Sequence, residues 1–230
     1  MRSCWSLHAG SAAELRVAVL RRAAREPRGY VLGRTSFRGL DILVDRRVFI
    51  PRPETELLVH AALAIPRGAP VLEPCTGSGA VALALKNERP DLEVTASDRS
   101  ADALAVARSN AERLGIGVVF AEADGIAAVP GGPWDAVVSN PPYVAEDQAG
   151  TGSLPVEIEY HEPPGAFWAG GDGLTVLRRL VTELGGVDWV AFEVGDGQAD
   201  AVGTMLRAAG FRSDTLHVAS GHARIIFAAR

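Results

Sequence analysis

Apolar residues fall in two registers along this chain. From Ser11, the positions Ala12, Leu15, Val19, Leu20 and Ala23 recur at helical spacing, which predicts an amphipathic helix. Ser11 and Glu14 have the spacing of a capping box, and Arg21, Arg22 and Arg25 suit the C-terminal end, so the helix should stop before Pro27. Between Tyr30 and Val48 the runs Ser36-Phe37 and Asp41 to Val44 are short and β-like, broken by Gly39 and Asp45, which reads as a hairpin. Pro53 can open a further helix, with Glu54 and Glu56 in its first turn and Leu57, Leu58, Ala61, Ala62 and Ala64 on its apolar face.

Beyond Pro66 the chain alternates. Strands are predicted at Val71–Glu73, Val94–Asp98, Val118–Glu122, Ala136–Ser139, Trp189–Val194, Phe211–Leu216 and Ile225–Ala229. Helices are predicted at Gly79–Asn87, Ala101–Leu114, Leu174–Leu184 and Gln198–Ala209. Such alternation implies an α/β fold, a doubly wound and mainly parallel seven-stranded sheet with helices on both faces. No helix separates the last two strands, so the last must be antiparallel to its neighbour or lie at an edge. The polar, Gly-rich stretch from Ala145 to Ser153 is too long for an ordinary connection and is expected to be a mobile loop over the site.

Composition narrows the function classes. The 230 residues are 47% hydrophobic and 22% charged, with a formal net charge of −5, so the overall field does not favour nucleic acid. Cys4 and Cys75 form no CxxC, and His8, His60, His161, His217 and His222 lack metal-ligand spacing, so neither a disulfide framework nor a metal site is suggested. No signal peptide or membrane-length apolar run is visible, and a cytoplasmic protein is expected. There is no Gly-x-Ser-x-Gly elbow or P-loop lysine to support a hydrolase or a kinase.

Two stretches carry chemistry. Glu73-Pro74-Cys75-Thr76-Gly77-Ser78-Gly79 follows the first strand of the sheet and opens a helix, so its glycines and the helix N-terminus can approach a ligand. Asp98 ends the next strand, where a carboxylate can accept from ribose hydroxyls, and Asp124 follows the third strand as a candidate acceptor for an adenine amino group or as an Asx turn. Gly77 to Ala82 also satisfies G-x-G-x-x-A, which keeps a nicotinamide dinucleotide open. The Glu73 carboxylate favours the cationic sulfonium of S-adenosylmethionine over an anionic pyrophosphate.

The second stretch, Ser139-Asn140-Pro141-Pro142-Tyr143, sits at the C-terminal tip of a buried strand, where open α/β sheets bind ligands. The two prolines make the turn rigid and remove backbone donors. An Asn140 side-chain oxygen and the Pro141 carbonyl could hold both protons of an NH2 group, with the Tyr143 ring stacked on the planar amide. Arg52, between Pro51 and Pro53, is expected to stand in the open on a stiff segment.

With these residues in view, the chain resembles the HemK/PrmC family of protein-(glutamine-N5) methyltransferases. The likeness lies in Tyr30-Val31-Leu32-Gly33, Phe49-Ile50-Pro51-Arg52-Pro53-Glu54-Thr55-Glu56, Gly77-Ser78-Gly79 and Ser139-Asn140-Pro141-Pro142-Tyr143. It continues in Glu162-Pro163, Gly171-Asp172-Gly173-Leu174 and Phe192-Glu193-Val194-Gly195.

The resemblance implies a Rossmann-like methyltransferase that uses S-adenosylmethionine to methylate the Gly-Gly-Gln glutamine of peptide chain release factors. On that basis Asn140, Pro141, Pro142 and Tyr143 are the expected catalytic turn. Glu73, Thr76, Gly77, Ser78, Gly79, Asp98, Asp124 and Asn140 are the expected cofactor contacts, and Arg52, Glu54, Asn140 and Tyr143 the expected substrate contacts. Residues 1–50 read as a shortened N-terminal helix and β-hairpin, and 51–230 as the methyltransferase domain. That shortening leaves open a relative acting on a small metabolite or another protein, with a nicotinamide-dependent oxidoreductase further off.

Overall fold

Helix α1 (Ala12–Ala23) starts with the expected capping box: Glu14 N–H donates to Ser11 Oγ at 3.3 Å and Ser11 N–H donates to Glu14 Oε2 at 3.1 Å. The computed structural model describes residues 11–217 and 221–230, so Cys4 and His8 lie outside the described residues. No residue of α1 is buried, and Leu15, Val17, Val19 and Leu20 face solvent. Charge holds the helix instead. Arg21 makes a two-pronged contact with Glu26 (2.7 and 2.8 Å), Arg46 joins at 3.2 Å, and Arg25 reaches Glu157 at 2.9 Å. The Arg21 guanidinium pulls the Glu26 carboxyl down to about 2.

Tyr30, expected at the start of β-like runs, lies in a short helix α2 (Arg28–Leu32). Pro27 fixes the entry, Gly33 in the left-handed region ends the turn, and the buried Tyr30 hydroxyl donates to the Val48 carbonyl at 2.6 Å. The hairpin follows as β1 (Arg34–Phe37) and β2 (Leu40–Leu43), in register Arg34 to Leu43 and Phe37 to Leu40. Its corner residues Arg38 and Gly39 both have positive φ, the requirement of a tight two-residue turn that matches strand twist.

The main sheet has seven strands: β3 (Pro70–Pro74), β4 (Glu93–Asp98), β5 (Val119–Glu122), β6 (Ala136–Ser139), β7 (Trp189–Glu193), β8 (Arg212–His217) and β9 (Ala223–Ala229). Their order is β5-β4-β3-β6-β7-β9-β8, parallel except for β9, which is antiparallel to both β7 and β8. The last strand is therefore inserted between its neighbours, and β8 takes the edge.

Helices α3 (Glu56–Ala62), α4 (Ala80–Glu88), α5 (Ala101–Leu114), α7 (Thr175–Thr182) and α8 (Ala199–Ala208) cover the sheet. Strand side chains alternate between two cores, as a pleat requires. Val71, Val138 and Ala191 face α3, α4, α5 and the hairpin residues Phe37, Ile42 and Val44. Leu72, Val137, Val190 and Phe192 face Leu177 and Leu180 of α7 and Val202 and Leu206 of α8. The hairpin thus shares a core with the strands.

The stretch from Ala145 to Ser153, expected as a mobile loop, holds a 3₁₀ turn at Glu146–Gln148, and beyond it lie helix α6 (Val156–His161) and a 3₁₀ turn at Pro164–Ala166, for which the sequence predicts no element. These pieces are too short to show a hydrophobic period. Among the described residues no helix is long and apolar enough to cross a membrane.

Leu83 on α4 is fully buried. Leu83→Ala should cost about 2–5 kcal/mol by removing packed volume, measured by urea denaturation; a loss well under 1 kcal/mol would show that α4 packs loosely.

Candidate active site

The order of the sheet decides where a ligand can enter. From β3 the chain adds β4 and β5 on one side, then returns to place β6 on the other. The carboxyl ends of β3 and β6 therefore border the crevice of a topological switch point. The Ser139 hydroxyl donates to the Pro74 carbonyl at 2.6 Å and ties the two strand tips together. A cavity of about 680 Å³ opens there.

One wall is the loop after β3. Glu73 is buried, and its Oε2 accepts from the Thr76 hydroxyl at 2.6 Å and from Ala82 N–H at 2.9 Å. One carboxylate oxygen thus braces the loop and the first turn of α4, although Glu73 still lines the cavity. Cys75 has φ 61, a strained value for a residue with a side chain, and burial pushes its thiol up to about 12. Gly79 is required by packing: a Cβ there would stand 3.1 Å from the Ala107 Cβ of α5. Asp98, at the tip of β4, accepts from Gly77 N–H and Ser100 N–H, each at 2.9 Å. Burial raises its carboxyl above the usual range against these bonds. Asp124 lines the cavity, but its carboxylate is mostly exposed and paired with Arg179 at 2.7 Å.

The opposite wall is the Asn-Pro-Pro-Tyr turn. Asn140 Nδ2 donates to Thr55 Oγ1 at 3.2 Å, and Oδ1 carries no hydrogen bond from the described residues. The Pro141 carbonyl likewise receives no backbone donor among the described residues. Two acceptors on consecutive cavity-lining residues are thereby left without a donor among the described residues. The Tyr143 hydroxyl donates to Glu193 Oε1 at 3.0 Å, and its carbonyl accepts from Gln198 Nε2 at 2.9 Å, so both ends of Tyr143 are pinned. A Cβ on Gly173 would lie 2.3 Å from that carbonyl, which reserves the position for glycine. The segment after the turn forms the outer rim, with Gln148, Leu154, Ile158 and Phe167 lining the cavity.

Two expected substrate contacts are not brought in. Arg52 does not stand in the open: its guanidinium is paired with the buried Glu162 and lies 4.4 Å from the Phe49 ring centroid. Glu162 Oε2 also accepts from Ile50 N–H at 3.0 Å, so this carboxylate fixes the segment leading into α3. Glu54 is exposed and does not border the cavity, whereas Phe49, Pro51 and Thr55 of the same stretch do. Thr55 and Glu193 had no role assigned from sequence. A carboxylate at the end of the wholly apolar run Trp189-Val190-Ala191-Phe192 was the available signal for Glu193.

Burial raises the Glu73 carboxyl to about 8 from an ordinary 4.5. Its contribution to stability is therefore full below about 4.5 and is lost as pH rises through about 8, because the folded chain must then surrender a proton the unfolded chain has already lost. Between about pH 5 and about pH 8.5 the native protein should lose stability relative to Glu73→Gln in urea denaturation; a pH-independent difference would mean the carboxylate is ionised throughout.

The sequence profile of the Methyltransferase small domain family matches residues 53–155, which span the glycine loop and the Asn-Pro-Pro-Tyr turn. The release factor glutamine methyltransferase of Deinococcus radiodurans is 38% identical over 222 residues, 93% of this chain and 78% of that protein. The protein of the same name from Koribacter versatilis is 40% identical over 200 residues, 83% of this chain and 70% of its own length. Among solved structures, a methyltransferase from Pyrococcus furiosus shares the fold with a TM-score of 0.63 at 17% identity, over 94% of this chain and 98% of that one. With the motifs in place on a methyltransferase sheet and this identity extending over most of its length, the chain belongs to the release factor glutamine methyltransferase family.

Proposed function

We propose that this chain transfers a methyl group from S-adenosylmethionine to the side-chain amide of a glutamine in a peptide chain release factor. The observation that carries the reading is the pair of open acceptors, Asn140 Oδ1 and the Pro141 carbonyl, on a turn whose Asn140 Nδ2, Tyr143 hydroxyl and Tyr143 carbonyl are already engaged. An NH2 group has two protons to give, and few other ligand groups match two adjacent acceptors. Family membership supports the same substrate.

The residues of the glycine loop fit the cofactor. The loop closes around open space at Gly77, and the Asp98 carboxylate keeps lone pairs beyond the two spent on backbone N–H groups. Gly77, Ser78, Gly79 and Thr76 would hold it with Asp98, and Asp124 would reach its base. When bound, S-adenosylmethionine supplies an electrophilic methyl on a sulfonium. Glu73 favours a cation over a pyrophosphate, and it gives up its proton more readily beside one. Lys86 turns away from the site, its Nζ donating to the carbonyls of Pro90 and Leu92, which leaves a nicotinamide chemistry without its lysine.

An amide nitrogen is a weak nucleophile because its lone pair is delocalised into the carbonyl. Asn140 and Pro141 hold both N–H bonds and so fix the direction of that lone pair; Tyr143 stacks on the amide plane. As positive charge builds on nitrogen, the two acceptor oxygens stabilise it. The extra proton leaves to water afterwards, and no general base is needed. Alignment of this kind supplies about 7–11 kcal/mol in favourable cases. Residues 51–230 would form the catalytic domain, and residues 1–50 would contribute to partner docking.

Purified release factor with labelled S-adenosylmethionine should acquire label on one glutamine, and an unlabelled product would refute the proposed substrate. Asn140→Ala should lower kcat by about 10²–10³ with little change in S-adenosylmethionine affinity. Asp98→Ala should do the reverse, weakening cofactor binding in calorimetry; an unaltered affinity would take Asp98 out of the site.

A further inference from the structure

One buried cluster lies against the turn, at the edge of the cavity. Thr55, in the 3₁₀ turn Pro53–Thr55 before α3, and Glu193, at the end of β7, are each 2% exposed. Asn140 Nδ2 donates to Thr55 Oγ1 at 3.2 Å, and the Tyr143 hydroxyl donates to Glu193 Oε1 at 3.0 Å. The Thr55 hydroxyl stands beside the same carboxylate closely enough to lower its proton affinity, although the contact falls outside strict hydrogen-bond geometry. Burial raises the Glu193 carboxyl above the usual carboxylate range, and Thr55, Tyr143 and Arg224, which lines the cavity, oppose that shift.

This arrangement solves a problem that a side-chain amide always poses. Its oxygen and nitrogen ends are nearly identical in shape, and a half-turn about the last bond exchanges acceptor for donor. A reversed Asn140 would point NH2 at an incoming NH2, and neither could accept. Thr55 has a single proton to give, and with Oε1 already taken by Tyr143, Glu193 Oε2 is a buried acceptor that no other donor among the described residues satisfies. With that proton directed at Glu193, the Thr55 oxygen is left as an acceptor, and only the Nδ2 end of Asn140 can satisfy it. Oδ1 is thereby turned to the cavity. Tyr143 hangs from the same side chain, so both ends of the turn refer to one buried carboxyl group.

We propose that Thr55 and Glu193 are positioning residues for amide methylation, which together set the sense of the Asn140 side chain so that Oδ1, and not Nδ2, faces the acceptor nitrogen. The proposal rests on the reading of Asn140 as the acceptor for the substrate amide.

Thr55→Val keeps the shape and removes the hydroxyl, whereas Thr55→Ser keeps the hydroxyl. Assayed with release factor and labelled S-adenosylmethionine, Thr55→Val should lose about tenfold or more in kcat, with S-adenosylmethionine affinity within about twofold of native, and Thr55→Ser should stay within about threefold. A native kcat for Thr55→Val, or an equal loss in Thr55→Ser, overturns the proposal. Asn140→Ala run in parallel separates the two readings. If it is inactive while Thr55→Val is native, only the positioning role falls; if it is fully active, the reading of the turn itself falls. Independently of any acceptor, a neutron structure of Thr55→Val, in which the amide nitrogen and oxygen are distinguished, should show the Asn140 amide reversed, and an unchanged amide overturns the proposal. Should Thr55→Val fail to fold, Glu193→Gln probes the same link, since its amide can donate to Thr55 Oγ1 and compete with Asn140. The same loss of kcat with retained cofactor affinity is expected there, and a native kcat refutes it.

Discussion

Strands β3 and β6 pair over a short stretch, Val71 with Ala136 and Leu72 with Val137, and the Ser139 hydroxyl then clasps the Pro74 carbonyl where they part. The site depends on this junction. Because sheet growth reverses direction there, the helices after the two strands leave towards opposite faces and a crevice remains between them. The glycine loop leaves from one lip and the Asn-Pro-Pro-Tyr turn from the other. A slip of one residue in that pairing would turn every side chain of a strand to the wrong face and carry one wall of the cavity away from the other.

Three buried carboxylates frame the cavity. Glu73 braces the glycine loop, Glu162 fixes the entry to α3 through Ile50 and Arg52, and Glu193 anchors Tyr143. Burying a carboxylate is costly unless donors surround it, so each of these positions commits its neighbours to a narrow set of arrangements. Flexible loop backbone is thereby converted into fixed walls. The acceptors proposed for a ligand stand apart from these braces, on Asn140 and Pro141, which receive no donor from the described residues.

The sheet and its helices were legible because apolar runs of four or more residues, separated by Gly, Pro and Asn, have few alternative uses. Helix α5 ran from Ala101 to Leu114 as its spacing predicted, closed by Gly115 in the left-handed region. The region from Val144 to Asp172 was not legible, since its turns are held by contacts distant in sequence, such as Val144 N–H to the Phe167 carbonyl at 2.8 Å. The two ligand-bearing loops could be found from residue type and position, but the partners of their side chains could not. Arg52 looked available because nothing in its local sequence reveals Glu162, which lies over a hundred positions away. Thr55 was passed over for the same reason: its significance lies in contact with Asn140 and Glu193, which only the folded chain brings near.

Helix α1 has a different kind of attachment. Among the described residues its side-chain anchors, Arg21, Arg22 and Arg25, all lie near its C-terminal end, while Leu15, Val17, Val19 and Leu20 along its shaft are exposed. Among the described residues, the helix is clamped at one end. The clamp is ionic, and charge pairs at a surface weaken when added salt shortens the screening length to about 10 Å or less, whereas apolar packing does not. Through Arg22 and Arg25 the clamp grips Glu157 on α6, and the next residue, Ile158, borders the cavity. A force applied along the exposed shaft of α1 is thus delivered one residue away from the rim of the site.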